Sequence, residues 1–243
     1  MIDSHDDIYY TYFIAHIANF REVRKYLEIG VNSGSNLKEV SCDIAVGVDP
    51  NFLIDTNVCS GKKETHLIQA TSDAFFRSGK AQELAPGGFD LAFLDGMHLF
   101  EYLLRDFYHT ERCCHRNALI VLHDCIPLNV EMTSRTFIPS SPESDAKYRN
   151  YWTGDVWKAV HILQKIRPDL KITALKCPPT GLIVISELDP SSTVLQDNYD
   201  EIVSKYKEIE GTDAAISEFT SSLRFIDTRE IDLARDHSLF FRI

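Results

Sequence analysis

The chain has 243 residues, with 25 Lys and Arg against 36 Asp and Glu, so its formal net charge is −11. Hydrophobic residues make up 44% and charged residues 25%, the balance of an ordinary globular protein. At about 150 residues per domain this is one domain or two, and a chain of this length buries a core without help from a disulfide or a metal. The negative sign disfavours nucleic acid and anionic membrane surfaces as partners. The longest apolar runs, Ala118–Leu122 and Leu182–Ile185, fall far short of the roughly 20 residues a membrane span requires. The first fifteen residues carry Asp3, Asp6 and Asp7 and no Lys or Arg, unlike a secretory signal. Cys42, Cys59, Cys113, Cys114, Cys125 and Cys177 form no C-x-x-C pair and read as free thiols in a reducing compartment. A cytoplasmic location is expected.

Along the chain, short apolar runs alternate with longer helical patterns, which predicts a mostly parallel sheet with crossover helices. Residues 8–24 read as a helix, with Tyr9, Tyr12, Phe13, His16, Ile17 and Phe20 at mixed spacings of three and four. Strands are predicted at Tyr26–Val31, Ile44–Val48, Thr65–Ala70, Phe89–Leu94 and Ala118–Leu122. Short helices are predicted over Ser35–Ser41 and Asp73–Lys80, and a longer one over His98–His115 with its stripe Leu99, Phe100, Leu103, Leu104 and Phe107. Residues 125–152 hold Pro127, Pro139 and Pro142 and read as a long loop, of the kind that serves as an active-site lid. A helix starts at Gly154-Asp155 and is stopped by Pro168. Leu170–Lys176 and Thr180–Ser186 are two further strands, expected to pair as a terminal antiparallel hairpin. From Asp189 the chain reads as two short helices and an extended end. The domain reading is 1–188 as one α/β unit and 189–243 as an appendage packing on it or on a partner.

In an open α/β sheet, ligands bind beyond the carboxyl ends of the strands. All five of those ends are polar or acidic here: Glu28-Ile-Gly30-Val-Asn-Ser33-Gly34, Gly47-Val-Asp49, Ala70-Thr-Ser72-Asp73, Asp95-Gly-Met-His98, and His123-Asp124. Gly30 and Gly34 allow a tight turn and close approach of a ligand. Their G-x-x-x-G spacing lacks the third glycine of dinucleotide folds, since position 33 is Ser. A nicotinamide-dependent oxidoreductase is disfavoured on that ground. Asp49 lies 19 residues after Gly30, a separation suited to a carboxylate accepting from two ribose hydroxyls.

These strand-end motifs resemble those of class I S-adenosylmethionine-dependent methyltransferases. Glu28-x-Gly30-x-x-x-Gly34 is similar to their first motif, and Asp49 to their ribose-binding acid. Asp90-Leu-Ala-Phe-Leu-Asp95-Gly96-Met97-His98, then Tyr102 and Arg105-Asp106-Phe107, Leu119–Cys125, and Gly154-Asp155-Val156-Trp157-Lys158 resemble a bacterial subgroup of small-molecule and sugar O-methyltransferases. The resemblance spans about residues 25–188. It implies a Rossmann-like, doubly wound seven-stranded sheet and O-methylation of a sugar or other small polyhydroxylated acceptor, either by a monomer or by a homo-oligomer.

The resemblance also implies site roles. Glu28, Gly30, Ser33 and Gly34 would face the methionine end of S-adenosylmethionine, Asp49 the ribose, Ser72 and Asp73 the adenine, and Asp95 the amino-acid moiety and reacting centre. Asp95 and Asp124 are the candidate ligands for a divalent metal such as Mg²⁺. Related enzymes carry Asp-Asn where this chain has Asp124-Cys125, and a thiol is a poor partner for Mg²⁺, so a metal-free arrangement stays open. His98, His123 and Asp124 are the candidates for proton transfer. Trp152 or Trp157 would wall the acceptor, with Tyr148, Arg149 and Tyr151 as further contacts, while His109 and His161 read as structural. A catalytically inactive binding or scaffold protein on the same fold is the remaining alternative.

Overall fold

The computed structural model describes residues 5–139 and 150–236. In chain order its elements are α1 (Tyr10–Phe20), β1 (Lys25–Ile29), β2 (Cys42–Asp49), β3 (Lys62–Gln69), α2 (Ser72–Arg77), α3 (Lys80–Leu84), β4 (Phe89–Leu94), α4 (Phe100–Arg112), β5 (Cys114–His123), α5 (Trp157–Ile166), β6 (Lys171–Leu175), β7 (Leu182–Ser186), α6 (Val194–Asp197), α7 (Tyr199–Tyr206), α8 (Asp213–Ser222), β8 (Phe225–Ile226) and α9 (Leu233–Asp236).

The strands form one sheet in the order β3-β2-β1-β4-β5-β7-β6-β8. The first five pair in parallel, while β7 runs antiparallel to both β5 and β6. Side chains alternate between two layers, as the strand period of two requires. Leu27, Ile29, Val46, Val48, Ala92, Leu94, Ile120 and Leu122 pack with α4 and α5. Tyr26, Ala45, Leu91, Phe93, Leu119 and Val121 pack on the opposite face with Phe13, Ile14, Ile17 and Ala18 of α1. Strands apolar on both faces are what a doubly wound sheet needs. The chain runs outward from β1 through β2 to β3 and then returns to β4, so the switch point lies between β1 and β4.

Three expectations are corrected. The predicted helix at Ser35–Ser41 is a set of turns with single bonds from Lys38 N to Gly34 O and Glu39 N to Asn36 O; Asn36 is instead drawn inward to the Tyr26 hydroxyl and Glu28. The sheet has eight strands rather than seven, because Phe225–Ile226 pairs in parallel with β6. Residues from 189 to 236 contain four helices and that strand, not two helices and an extended end. Leu195, Ile202, Tyr206, Ile216, Phe219 and Leu223 join the same buried cluster as α4 and α5. At the opposite edge, β3 carries Lys62, Lys63 and Glu64, charges that discourage strand addition. All six cysteines are unpaired. Among the described residues no helix is long and apolar enough to cross a membrane.

Candidate active site

Beyond the carboxyl ends of β1, β2, β4 and β5 lies a cleft of about 610 Å³, within the range of small-molecule and cofactor sites. Of the residues singled out from the sequence, Gly30, Asp49, Ser72, Asp73, Asp95, His98, His123 and Asp124 line it. Glu28, Ser33 and Gly34 do not. Glu28 is buried on the α1 face of β1, where it accepts from the Tyr26 hydroxyl at 2.6 Å and Asn36 Nδ2 at 2.7 Å. Burial outweighs those two bonds and pushes its carboxyl up to about 7. The Ser33 hydroxyl bonds Ser35 at the surface. A Cβ on Gly34 would meet Val58, away from the cleft.

Gly30 has a reason the turn alone does not reveal. With φ of +87°, a Cβ there would stand 2.0 Å from the Asp95 carbonyl oxygen. The space it vacates is taken by the backbone of the β4 turn, so the glycine sets where Asp95 stands. Asp49 is fastened by its own turn: Oδ2 accepts from Asn32 N at 2.8 Å and Oδ1 from Asn51 N at 2.7 Å. Each oxygen keeps a lone pair for a ligand. Asp73 is engaged differently from expectation. Arg105 Nε and Nη2 donate to its two oxygens at 2.9 and 2.7 Å, a bidentate pair that fixes the carboxylate and uses one acceptor site on each oxygen. The same guanidinium donates to the Tyr199 hydroxyl at 2.7 Å and lies 4.5 Å from the ring centre of Tyr102, another cleft residue. Tyr199, which the sequence did not flag, thus ties α7 to this wall. Asp106 forms part of the lining, and burial pushes its carboxyl up to about 7 despite a bond with Ser72.

The other end of the cleft holds a four-residue cluster. His98 Nε2 is 3.1 Å from Asp124 Oδ2 and 3.7 Å from Asp95 Oδ1. His123 Nδ1 is 3.2 Å from Asp95 Oδ1 and 3.4 Å from Asp124 Oδ2. Thr180 donates to the other oxygen of Asp124, whose backbone is left-handed with φ of +58°. His98 Nδ1 faces the Trp152 carbonyl at 2.8 Å. A carbonyl only accepts, so Nδ1 carries the proton and Nε2 faces the two carboxylates. Burial disfavours the charged form of His98, but the adjacent carboxylates of Asp95 and Asp124 prevail and push it up to about 9. His123 is likewise raised well above the ordinary value, because Asp124 and Asp95 outweigh its burial. Burial tends to raise Asp95, yet His123 and His98 hold it well below the usual carboxylate range. Tyr10 of α1 packs its ring 4.3 Å from His123, whose buried Nε2 has no hydrogen-bond partner among the described residues.

Asp95, His98 and Asp124 each offer one donor atom, all within 4.8 Å of one another. Two oxygens and one imidazole nitrogen suit a divalent cation. Cys125 does not enter this set: its thiol is buried and bonds the His123 carbonyl. The departure noted at position 125 therefore leaves both carboxylates available to an ion, and His98 Nε2 can serve either as a third donor or as a base, not as both at once.

Trp157 is a core residue against Phe219, whereas the Trp152 ring lies 5.1 Å from His98. On the far side of Trp152 is a second cavity of about 650 Å³, lined by Ser134, Arg135, Tyr151, Lys158 and Glu210 among others. Tyr148 and Arg149 lie outside the described residues. His109 stacks on Phe76 and His161 meets the Tyr206 ring edge-on, both on helices away from the cleft.

No family model and no curated protein matches the chain in sequence. Solved structures do match in shape. The SAH-bound Podospora anserina methyltransferase PaMTH1 aligns over 74% of this chain and 78% of its own, at 16% identity and a TM-score of 0.51. The O-methyltransferase TomG from Streptomyces achromogenes, involved in tomaymycin synthesis and solved with SAM, aligns over 74% and 80%, at 15% identity and 0.51. The O-methyltransferase from Bacillus cereus in complex with SAH gives the same coverage and score at 9% identity. The fold is that of a class I methyltransferase. The mostly parallel, doubly wound sheet and its antiparallel β6–β7 hairpin match the expectation, while identities this low speak to the fold alone.

Proposed function

We propose that this protein is an S-adenosylmethionine-dependent O-methyltransferase acting on a small polyhydroxylated acceptor such as a sugar. The observation that carries the reading is that Asp49 and the Asp95, His98, Asp124 cluster open onto one cleft at the switch point of a methyltransferase fold. Asp49, held by two backbone amides, presents its free lone pairs to the ribose hydroxyls. Gly30, Ser72, Asp73 and Asp106 complete the cofactor wall, and Asp95 stands at the methionine end. Bound S-adenosylmethionine would supply an electrophilic methyl group on a sulfonium. Asp95 and Asp124 would hold a divalent cation such as Mg²⁺, which supplies charge that stabilises an alkoxide and lowers the proton affinity of nearby His98. His98 Nε2 takes the proton of the acceptor hydroxyl, and His123 orients the two carboxylates. Most of the acceleration comes from positioning.

The acceptor enters from the side of Tyr151 and Trp152. The second cavity, with aromatic walls and a mixed set of carboxylate, guanidinium and ammonium groups, suits a polyhydroxylated molecule better than an apolar one. Residues 1–188 carry the machinery, and α7 of the C-terminal appendage braces it through Tyr199. Six unpaired thiols favour a reducing, cytoplasmic setting.

The test is calorimetric titration and thermal shift with S-adenosylmethionine and S-adenosylhomocysteine, with NAD⁺ as control, repeated with Mg²⁺. A ligand at 100 times its Kd stabilises by about 2.7 kcal/mol. A shift with the sulfur nucleotides that Asp49→Ala abolishes supports the reading. Absence of any shift at saturating ligand overturns it and leaves the scaffold alternative.

A further inference from the structure

The segment from Trp152 through the Gly154-Asp155-Val156-Trp157-Lys158 motif stands outside the cleft lining, yet it meets the stretch His98–Phe100 at three points. Trp152 O accepts from His98 Nδ1 at 2.8 Å. Gly154, with φ of +56°, sits so close that a Cβ would fall 1.7 Å from the His98 carbonyl oxygen. Asp155 Oδ1 accepts from Phe100 N at 3.0 Å. That last bond replaces a missing one: α4 begins two residues after His98, and its own N-cap residue, Leu99, makes no side-chain cap. A carboxylate at a helix N-terminus satisfies an orphan amide and suits the helix dipole.

Asp155 also has a second set of partners. Its Oδ2 accepts from Lys158 Nζ at 2.9 Å and from Arg135 Nη1, and Arg135 in turn pairs with Glu101 of α4. The side chain is 3% exposed. Around it, Thr153 N and Oγ1 both donate to Met132 O at 3.0 Å, and Trp152 Nε1 donates to Ser134 O at 2.6 Å. One carboxylate therefore ties the turn at 152–155 to the first turn of α4, with His98 held between.

We propose that the turn Trp152–Asp155 positions His98, with Asp155 as its anchor. The proposal rests on the reading that His98 Nε2 serves the reacting centre. The Trp152 carbonyl fixes the proton on Nδ1, and Asp155 and Gly154 keep that carbonyl and the His98 backbone at bonding distance. Asp155 stands outside the cofactor cleft and borders the second cavity; it acts on the reacting centre through His98. The consequence is that Nε2 is aimed at Asp95 and Asp124 before any ligand arrives, an outer hydrogen bond setting the ring orientation of a working histidine.

The experiment is imidazole ¹⁵N NMR of the full chain, with the His98 signals assigned by their loss in His98→Gln. The wild-type protein is expected to show a slowly exchanging Nδ1–H proton on His98. Asp155→Ala is expected to speed its exchange at least tenfold or abolish the resonance. Asp155→Asn, which keeps an oxygen for Phe100 N, is expected to restore it. S-adenosylhomocysteine affinity should stay within about twofold in both, because the Asp49 end is untouched. A merely structural role predicts a lower Tm with an unchanged His98 resonance in the folded variant, and that result overturns the proposal. Should Asp155→Ala fail to fold, Gly154→Ala decides between the two roles: its Cβ must push the turn off His98, and an unaltered resonance there refutes the idea. If wild-type protein binds no S-adenosylhomocysteine, the functional reading fails while the resonance still decides the positioning.

Discussion

Gly30→Ala separates two reasons for a glycine at the first turn. The added Cβ would stand 2.0 Å from the Asp95 carbonyl oxygen and must reach at least 3.0 Å, so something must retreat by about 1 Å. Gly30 has little room to move, because its N–H donates to Val48 O at 2.9 Å. Asp95 must yield, straining its own bond from Asp95 N to Ile29 O at 2.8 Å. The positive φ costs an alanine about 1–2 kcal/mol, the weakened bond about 1 kcal/mol, and residual strain another 1–2 kcal/mol, for a total of about 3–5 kcal/mol. Gly87 is the control: its φ is +84°, but nothing lies within 4 Å of an added Cβ. Gly87→Ala should cost only the backbone component, about 1–2 kcal/mol. Thermal unfolding of the two variants should then differ by roughly 4–12 °C, at about 2–4 °C per kcal/mol for a chain of this size. The shift at Asp95 also pulls its carboxylate from His123 Nδ1, now 3.2 Å away, and a misplacement of about 1 Å costs on the order of 100-fold in rate. Equal melting temperatures for Gly30→Ala and Gly87→Ala would refute the claim that this glycine exists to seat Asp95.

Three further expectations concern other parts of the molecule. Arg167 and Glu111 form a bidentate pair at 2.7 and 2.9 Å, each almost wholly buried; Arg167→Met should destabilise by about 3–5 kcal/mol in urea unfolding because it strands the carboxylate, and Glu111→Leu in the same chain should recover part of that loss. His5 donates Nε2–H to Ile126 O at 3.0 Å, and burial pushes its pKa down to about 4. The unfolded chain therefore takes up this proton first, near pH 6.5, so stability is full above that value and falls by about 3 kcal/mol as pH drops toward 4. Tm against pH should be flatter over this window in His5→Gln, and an unchanged slope would contradict the assignment. Tyr199→Phe removes the hydroxyl that accepts from Arg105 and donates to Glu101 O; S-adenosylhomocysteine should bind several-fold more weakly by calorimetry, and unchanged affinity would show that α7 does not brace the Tyr102 wall.

How much of this was written in the sequence depends on how local each feature is. The strand ends were legible because a strand is signalled by its own apolar run and a turn by its own Gly, Asp or Asn. Asp49, Asp95, His98, His123 and Asp124, singled out from those strand ends, all line the cleft. Trp157 and Trp152 could not be told apart, since only packing against Phe219 or His98 distinguishes them. The helix expected at Ser35–Ser41 fails because Asn36 finds partners on β1, a competition that propensity does not register.

By itself the sequence determined the class of sheet, its apolar two-faced strands and the carboxylates that end them, because each depends on neighbours a few residues away. Tertiary structure alone decided what those carboxylates touch. Glu28 turned from the cleft into a buried network; Asp73 was claimed by Arg105, 32 residues on; His98 was locked by the Trp152 carbonyl, 54 residues on; and a two-residue strand closed the sheet edge. Contacts between segments so far apart are chosen by global packing and the need to satisfy every buried polar group, and no local pattern encodes that choice.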